Sequence, residues 1–260
     1  MTRLRDLIEA APELGRGPGA PDAAIRAAEA RVGPLPSSYR WWLAEFGRGR
    51  TRGADLAVVV PTGITDGADD ADEAFDVYED VTARWRLSGD RLCFAVEPDC
   101  GDSYFFVLDR RGEAGDGEYP VVCRDGTDGE EYPVADSFAG FLTVREALSR
   151  GLGEGPNPAV ARLWRSTPGV LLDNGVLMYG PHRIAERNEA FEVARYAPDW
   201  VLVGETDGGD GLFMRRHGRD RTSVHRLDPR AIDEDIAARG DLLTDDLLGW
   251  LRAGAPGLRP

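Results

Sequence analysis

The chain has 260 residues, 42% of them hydrophobic and 30% charged, and its 46 acids against 31 basic residues give a net charge of −15. That apolar share suits a packed core and excludes wholesale disorder, and the length fits one large domain or two ordinary ones. Thr2 to Asp6 is charged, Glu9, Pro12 and Glu13 break the next apolar stretch, and no apolar run nears the roughly 20 residues of a membrane span, so the chain reads as soluble and cytoplasmic.

Residues 15–21 are rich in turn formers, and Asp22 is placed as the N-cap of a helix from Ala23 to Val32. Gly33 and Pro34 end it. Leu35-Pro36-Ser37 opens a second helix, Ser38 to Phe46, with Tyr39, Trp42, Leu43 and Phe46 on one face. Leu56 to Val60 reads as a buried strand, 62–72 as a Gly/Asp loop, and Ala74 to Leu87 as a helix facing inward with Phe75, Tyr78, Val81 and Trp85. Strands follow at 91–96 and 104–109, a glycine-rich hairpin at 112–117, a short strand from Tyr119 to Cys123, and an acidic turn at 124–131. Asp136 is expected to cap a helix from Ser137 to Ser149, with Phe138, Phe141, Leu142 and Leu148 inward. The stretch 151–158, GLGEGPNP, reads as a linker between a domain at 1–150 and a domain at 159–260.

The second half opens with a helix from Ala159 to Arg165. Asn174-Gly175 between apolar runs predicts that Val170–Leu172 and Val176–Met178 pair as a hairpin. A helix from Ile184 to Ala197, strands at 200–204, 211–215 and 222–227, and a closing helix led by Asp245 and Asp246 complete the reading.

One unit occurs twice. Gly101-Asp102 lies between two apolar strands, 36 and 39 residues before Phe138 and Phe141; Gly209-Asp210 lies between two others, 37 and 40 residues before Leu247 and Trp250. Repeats of this length point to duplicated domains.

Catalytic signatures are missing. There is no G-x-S-x-G elbow, H-E-x-x-H pair, P-loop or C-x-x-C pair. Residues 204–211, GETDGGDG, run into a strand rather than the helix N-terminus a phosphate loop needs. The acidic turns at 125–130 and 207–210 lack the ligand spacing of an EF-hand and read as tight turns. Glu97, Asp99 and Asp102 have no His, Lys or Cys partner at a legible spacing; an enzyme using the carboxylates around Asp102 and Asp210 is the weakest of three readings. Cys93 and Cys123 read as buried small hydrophobes, and His182, His217 and His225 as surface or turn residues. No cofactor and no metal are expected.

Every basic residue is Arg, with no Lys and no Gln. Charge is uneven: residues 66–136 hold 21 acids against 6 Arg, and the rest of the chain is neutral. Such a zone repels nucleic acid and anionic membranes and attracts basic proteins; a purely solvating face is the plainer alternative.

The first half resembles the SUKH superfamily, which includes a yeast cell-wall-assembly regulator and bacterial toxin-immunity proteins. The resemblance rests on Ile25 and Glu29, then Leu35-Pro36 with Ser38-Tyr39 and Trp42-Leu43, the Gly101-Asp102 turn with Tyr104-Phe105, and Ser137-Phe138 with Phe141-Leu142. The second half looks like a diverged copy that lacks the Leu-Pro helix pair. The resemblance implies an α+β fold of two related domains, each a twisted, mostly antiparallel sheet flanked by helices. It also implies binding rather than catalysis. The leading reading is an immunity protein that neutralises a basic, nuclease-type toxin domain; the alternative is a regulatory or scaffold module binding a cellular protein. Asp69, Asp70, Asp72, Glu73, Asp76, Glu130 and Glu131 are the partner-binding candidates. The reading involves no nucleic acid and no membrane, and leaves a homodimer open.

Overall fold

The computed structural model describes residues 2–11, 19–47, 49–51, 54–56, 65–66, 86–97, 99–112, 117–233 and 235–257. Of the predicted strand at 56–60 only Leu56 is described, in a short strand; of the loop at 62–72 only Thr65 and Asp66, which form another; and most of the helix at 74–87 lies outside the described residues. So do Asp69, Asp70, Asp72, Glu73 and Asp76. The chain divides into two compact units, Ala11–Arg145 and Thr2–Ala10 with Glu146–Pro260. The fold is α+β.

Helix α1 (Thr2–Ala10) belongs to the second unit. The first unit begins with α2 (Asp22–Val32) and α3 (Ser37–Phe46). Asp22 is not a cap: the helix starts on it, after Pro21, and its carboxylate accepts from Arg40 at 2.6 Å and also binds Arg26. The strands are β1 (Gly49–Thr51), β2 (Ala54–Leu56), β3 (Thr65–Asp66), β4 (Arg86–Ser88), β5 (Arg91–Val96), β6 (Ser103–Val107), β7 (Val121–Arg124) and β8 (Glu131–Ala135). They form one sheet in the order β1-β2-β5-β6-β7-β8, with β4 also on β5 and β3 parallel to β4. Arg86 to Ser88 is therefore strand where the sequence suggested the end of a helix.

Helix α4 (Phe138–Ser149) closes the unit, and the boundary between units falls inside it, after Arg145. Its cap is Ser137, whose Oγ accepts from the Gly140 N–H at 2.9 Å, rather than Asp136. Leu148 is 48% exposed and does not face inward.

The predicted face of α3 fills the core. Tyr39, Trp42 and Leu43 are at most 1% exposed. Tyr39 meets Phe94, Phe106 and Phe138 with ring centroids 5.7, 5.1 and 4.8 Å away, and Phe94 stacks on Phe106 at 4.0 Å. The Leu-Pro corner is tied from outside. Ser37 N–H donates to Gly117 O at 3.0 Å, Tyr119 OH to Pro34 O at 2.7 Å, and the Glu118 carboxylate accepts from Ser38 N–H at 2.7 Å and Ser38 Oγ at 2.9 Å. Glu118 thus satisfies orphan donors at the first turn of α3. Burial pushes its carboxyl up in pKa, against the pull of the hydrogen bonds from Ser38.

The second unit holds α5 (Pro158–Trp164), β9 (Val170–Leu171), β10 (Leu177–Met178), α6 (Pro181–Ala190), α7 (Val193–Tyr196), β11 (Trp200–Glu205), β12 (Gly211–Arg215), β13 (Val224–Leu227), α8 (Ile236–Arg239), β14 (Asp241–Thr244) and α9 (Leu247–Arg252). Its sheet is an antiparallel meander, β14-β13-β12-β11-β10-β9. The Asn174-Gly175 hairpin forms as expected, with Leu177 opposite Leu171. Asn157 caps α5, accepting from Ala159 and Val160 N–H at 3.1 and 3.0 Å. Asp246 caps α9 through Gly249 N–H at 3.1 Å. The helix expected at 184–197 is two helices, broken where Glu192 takes φ +49°. Asn188 ties α6 to the sheet: its amide donates to Leu202 O at 2.8 Å and accepts from Leu202 N–H at 2.9 Å. Trp164, Trp200, Tyr179 and Phe213 are at most 1% exposed at the centre of this core. His182 and His225 are buried, not at the surface.

The two sheets share a register. Leu92 faces Phe106 and Cys93 faces Phe105; a bulge skips Phe94, and Ala95 faces Tyr104. In the second unit Val201 faces Met214 and Leu202 faces Phe213; a bulge skips Val203, and Gly204 faces Leu212. A second shift also recurs: Val121 faces Ala135 and then Val122 faces Pro133, while Val224 faces Thr244 and then His225 faces Leu242. Bulges are positional features of a sheet, so two at matching places mark one four-strand plan followed by a helix in both units.

Candidate functional site: the acidic end of the first sheet

The β5–β6 and β7–β8 connections lie at the same end of the first sheet. In the first, Glu97 N–H donates to Asp102 O at 2.7 Å and Gly101 N–H to Glu97 O at 2.8 Å, with Gly101 at φ +79°. In the second, Asp125 N–H donates to Glu130 O and Gly129 N–H to Asp125 O, both at 3.0 Å. The two turns are pinned together: the Gly126 N–H donates to Asp102 Oδ1 at 3.0 Å. A Cβ on Gly126 would lie 2.6 Å from the Gly101 carbonyl carbon and 2.9 Å from its Cα, and would also strike Cys100 O. Gly126→Ala is therefore expected to destabilise the first unit by about 2 kcal/mol, because the obstruction is backbone and cannot rotate away. An unchanged melting temperature would contradict this packing.

The carboxylates at this end divide into two groups. Some are spent internally. Glu97 forms a bidentate pair with Arg145, at 3.0 and 3.1 Å, and accepts from Tyr104 OH at 2.8 Å. Burial pushes the Tyr104 hydroxyl far up, so it stays a donor. Glu131 accepts from Arg124 at 2.6 Å and Arg91 at 3.1 Å; burial raises its pKa, but those two guanidiniums outweigh burial and hold it low. Asp125 accepts from Thr127 and Asp128 N–H, which hold its pKa low. The others face water. Asp99, Asp128 and Glu130 are exposed, and no ion pair holds Asp99 or Glu130 among the described residues.

Of the seven expected site residues the structure therefore places two, Glu130 and Glu131, side by side on one turn. Of these two, Glu130 presents an unspent carboxylate and Glu131 does not. Asp99 and Asp102, read in the sequence as carboxylates without a catalytic partner, and Asp128, read as part of a tight acidic turn, converge with Glu130 through the turn pairing. The short spacing of Asp102 and Gly126 to their own turns was visible, but not the contact between the turns.

Glu97, Cys100 and Asp102 bring one ligand atom each within 4.8 Å of one another. This set fits a resident metal poorly. Both Glu97 oxygens are engaged, Asp102 Oδ1 holds Gly126, and burial pushes the Cys100 thiol up so that it keeps its proton at neutral pH. Cys93 and Cys123 are buried thiols, as expected, and burial raises Cys123 to about 11. The arrangement offers negative charge and hydrogen-bond acceptors on a rigid base. It offers no nucleophile paired with a base.

Among the described residues no helix is long and apolar enough to cross a membrane. Residues 19–144 match the model of the SMI1 / KNR4 family (SUKH-1). No curated protein matches the chain.

Proposed function

Residues 19–144 of this chain belong to the SMI1 / KNR4 family (SUKH-1), and on that footing we propose that the protein is a non-catalytic binding protein that captures and blocks a basic partner, a toxin domain of the nuclease type, in the cytoplasm. The observation that carries this reading is the acidic end of the first sheet. Asp99, Asp128 and Glu130 stand on two turns locked to each other by Asp102 and Gly126, so their charge is presented without a large ordering cost on binding. Residues 66–136 carry the whole net charge of the chain, which speeds encounter with a cationic protein and slows encounter with nucleic acid. Arg91 and Arg124, paired with Glu131, flank the acids and supply planar donors at the rim.

The test is protection. Cells expressing the toxin domain encoded beside this gene should survive when the chain is co-expressed. Asp99→Arg with Glu130→Arg should weaken the complex at least about tenfold and flatten its salt dependence, since both side chains face water and neither holds the fold. Protection and salt dependence unchanged by this double reversal would remove the acidic end from the interface. A gene neighbourhood free of secreted toxins, with capture of a cellular protein instead, would favour a regulatory module.

A further inference from the structure

The second unit carries a surface of opposite sign. Between β12 and β13 the chain reads Arg215-Arg216-His217-Gly218-Arg219-Asp220-Arg221. Its lone acid is turned into the loop, where Asp220 Oδ1 accepts from Ser223 N–H at 3.2 Å. Among the described residues no carboxylate pairs with any of these four arginines. The base of the hairpin is fixed. The Arg215 guanidinium lies 4.5 Å over the Trp200 ring, Arg216 Nε donates to Trp200 O at 2.9 Å, and Asn157 Nδ2 donates to Arg215 O at 3.3 Å. The tip, with His217, Arg219 and Arg221, is exposed. A cleft of about 270 Å³ opens beside it, lined by Asp199, Arg215, His217, Gly218, Arg219 and Asp220.

The matching connection of the first unit, between β6 and β7, is used up internally. There Gly117, Glu118 and Tyr119 strap the Leu-Pro corner and the start of α3. Ahead of its meander the second unit has α5, a short hairpin and α6–α7, with no counterpart of the α2–α3 pair, so its hairpin has no such corner to strap. Arg219 and Arg221, exposed at the tip and paired with no acid among the described residues, repel each other and the base arginines without stabilising the unit.

We propose that this hairpin is a docking surface for a carboxylate-rich segment of a partner protein, separate from the acidic end of the first unit. Arginine forks match planar carboxylates, and those not buried against Trp200 keep all their donors available. Nucleic acid fits less well. No Phe, Tyr or Trp lines the cleft, and Trp200, beneath Arg215, is 1% exposed, so it leaves no face for a base to stack on. Asp199 and Asp220 stand in the cleft, and a chain of net charge −15 repels a dense polyphosphate more than a short run of carboxylates.

Fluorescence anisotropy with the full chain tests this, using a short labelled polyglutamate peptide and a thymidine oligonucleotide of equal charge. The peptide should bind saturably, and more weakly as salt rises. Arg219→Ser with Arg221→Ser should weaken it about tenfold, and the Lys pair at the same sites should fall between, because charge remains while the fork is lost. Overturning results are an absence of saturable binding, an oligonucleotide bound as tightly as the peptide, or a serine variant with parental affinity. Concentration-dependent self-association that blocks the peptide would also overturn it, by assigning the hairpin to a second copy of the chain. No toxin is present in this assay, so its outcome is independent of the protection test above.

Discussion

Glu97→Ala should cost the first unit about 3 kcal/mol, the largest single-residue loss we expect from a polar side chain here. The Glu97 and Arg145 side chains are 19% and 14% exposed, and each carboxylate oxygen meets a guanidinium nitrogen. Removing the acid leaves a largely buried cation without its bidentate partner and leaves Tyr104 OH without its acceptor. The loss comes from that stranding, not from the strength of the pair as such. The double variant Glu97→Ala with Arg145→Ala should therefore lose much less than the sum of the two single losses. Urea unfolding of the three variants reads this directly. Strict additivity would show that the pair is not coupled, and a loss under about 1 kcal/mol for Glu97→Ala would place it with ordinary surface ion pairs.

His182→Leu should remove a block of acid sensitivity from the second unit. His182 sits in the first turn of α6, 9% exposed, and neither ring nitrogen has a hydrogen-bond partner among the described residues. Burial first, and then the nearby Arg183, push its pKa down from 6.5 to about 4; Asp6 of α1 pulls the other way, and Arg150 and Arg3 add to the depression. The folded state thus excludes a proton that the unfolded chain takes up. Above about pH 6.5 both states are neutral and the group gives no pH dependence. As pH falls from 6.5 towards 4 stability is lost, by about 1.4 kcal/mol per pH unit and about 3 kcal/mol in all. Leucine forfeits no hydrogen bond at neutral pH. The variant should lie within about 1 kcal/mol of the parent at pH 7.5, and about 2 kcal/mol above it at pH 5. Glu131 and Asp125, held low in the fold, add their own loss at lower pH, so the difference between variant and parent is what to measure. Stability curves that run parallel between pH 7.5 and 5 would show that His182 is solvated.

Much of the framework was legible where a local rule decides it. The Tyr39, Trp42, Leu43 and Phe46 spacing located α3 and its buried face, and the two Gly-Asp turns located β5–β6 and β11–β12. Strands β8 and β14 were missed because both are edges. Glu131 to Ala135 is exposed along most of its length and contains Pro133, whose missing donor suits an edge, so no apolar run announces it. The end of α6 was missed because Glu192 adopts a left-handed conformation that its residue type does not favour. At the candidate site and at the Leu-Pro corner the failures are all non-local. Glu97 finds Arg145 48 residues on, Asp102 finds Gly126 24 residues on, and Ser38 finds Glu118 80 residues on. Spacing rules do not reach that far. His182 looked like a surface residue for the same reason, since its burial depends on α1, far away in sequence.

Helix α1 also sets an order of events during synthesis. Its apolar face, Leu4, Leu7 and Ile8, is at most 2% exposed, and it belongs with residues 146–260, where Arg150 donates to Ala10 O at 2.9 Å. A helix of 9 residues is marginal by itself in water. At roughly 5–20 residues per second, translation from α1 to α9 takes on the order of 10–50 s. Helix α1 is thus seated long after it is made, and for that interval three large aliphatic side chains wait in the open beside a ribosome. A nascent chain stalled near residue 190 should therefore expose α1 to chaperones and proteases after residues 11–145 have left the ribosome, and only completion of the second sheet withdraws it.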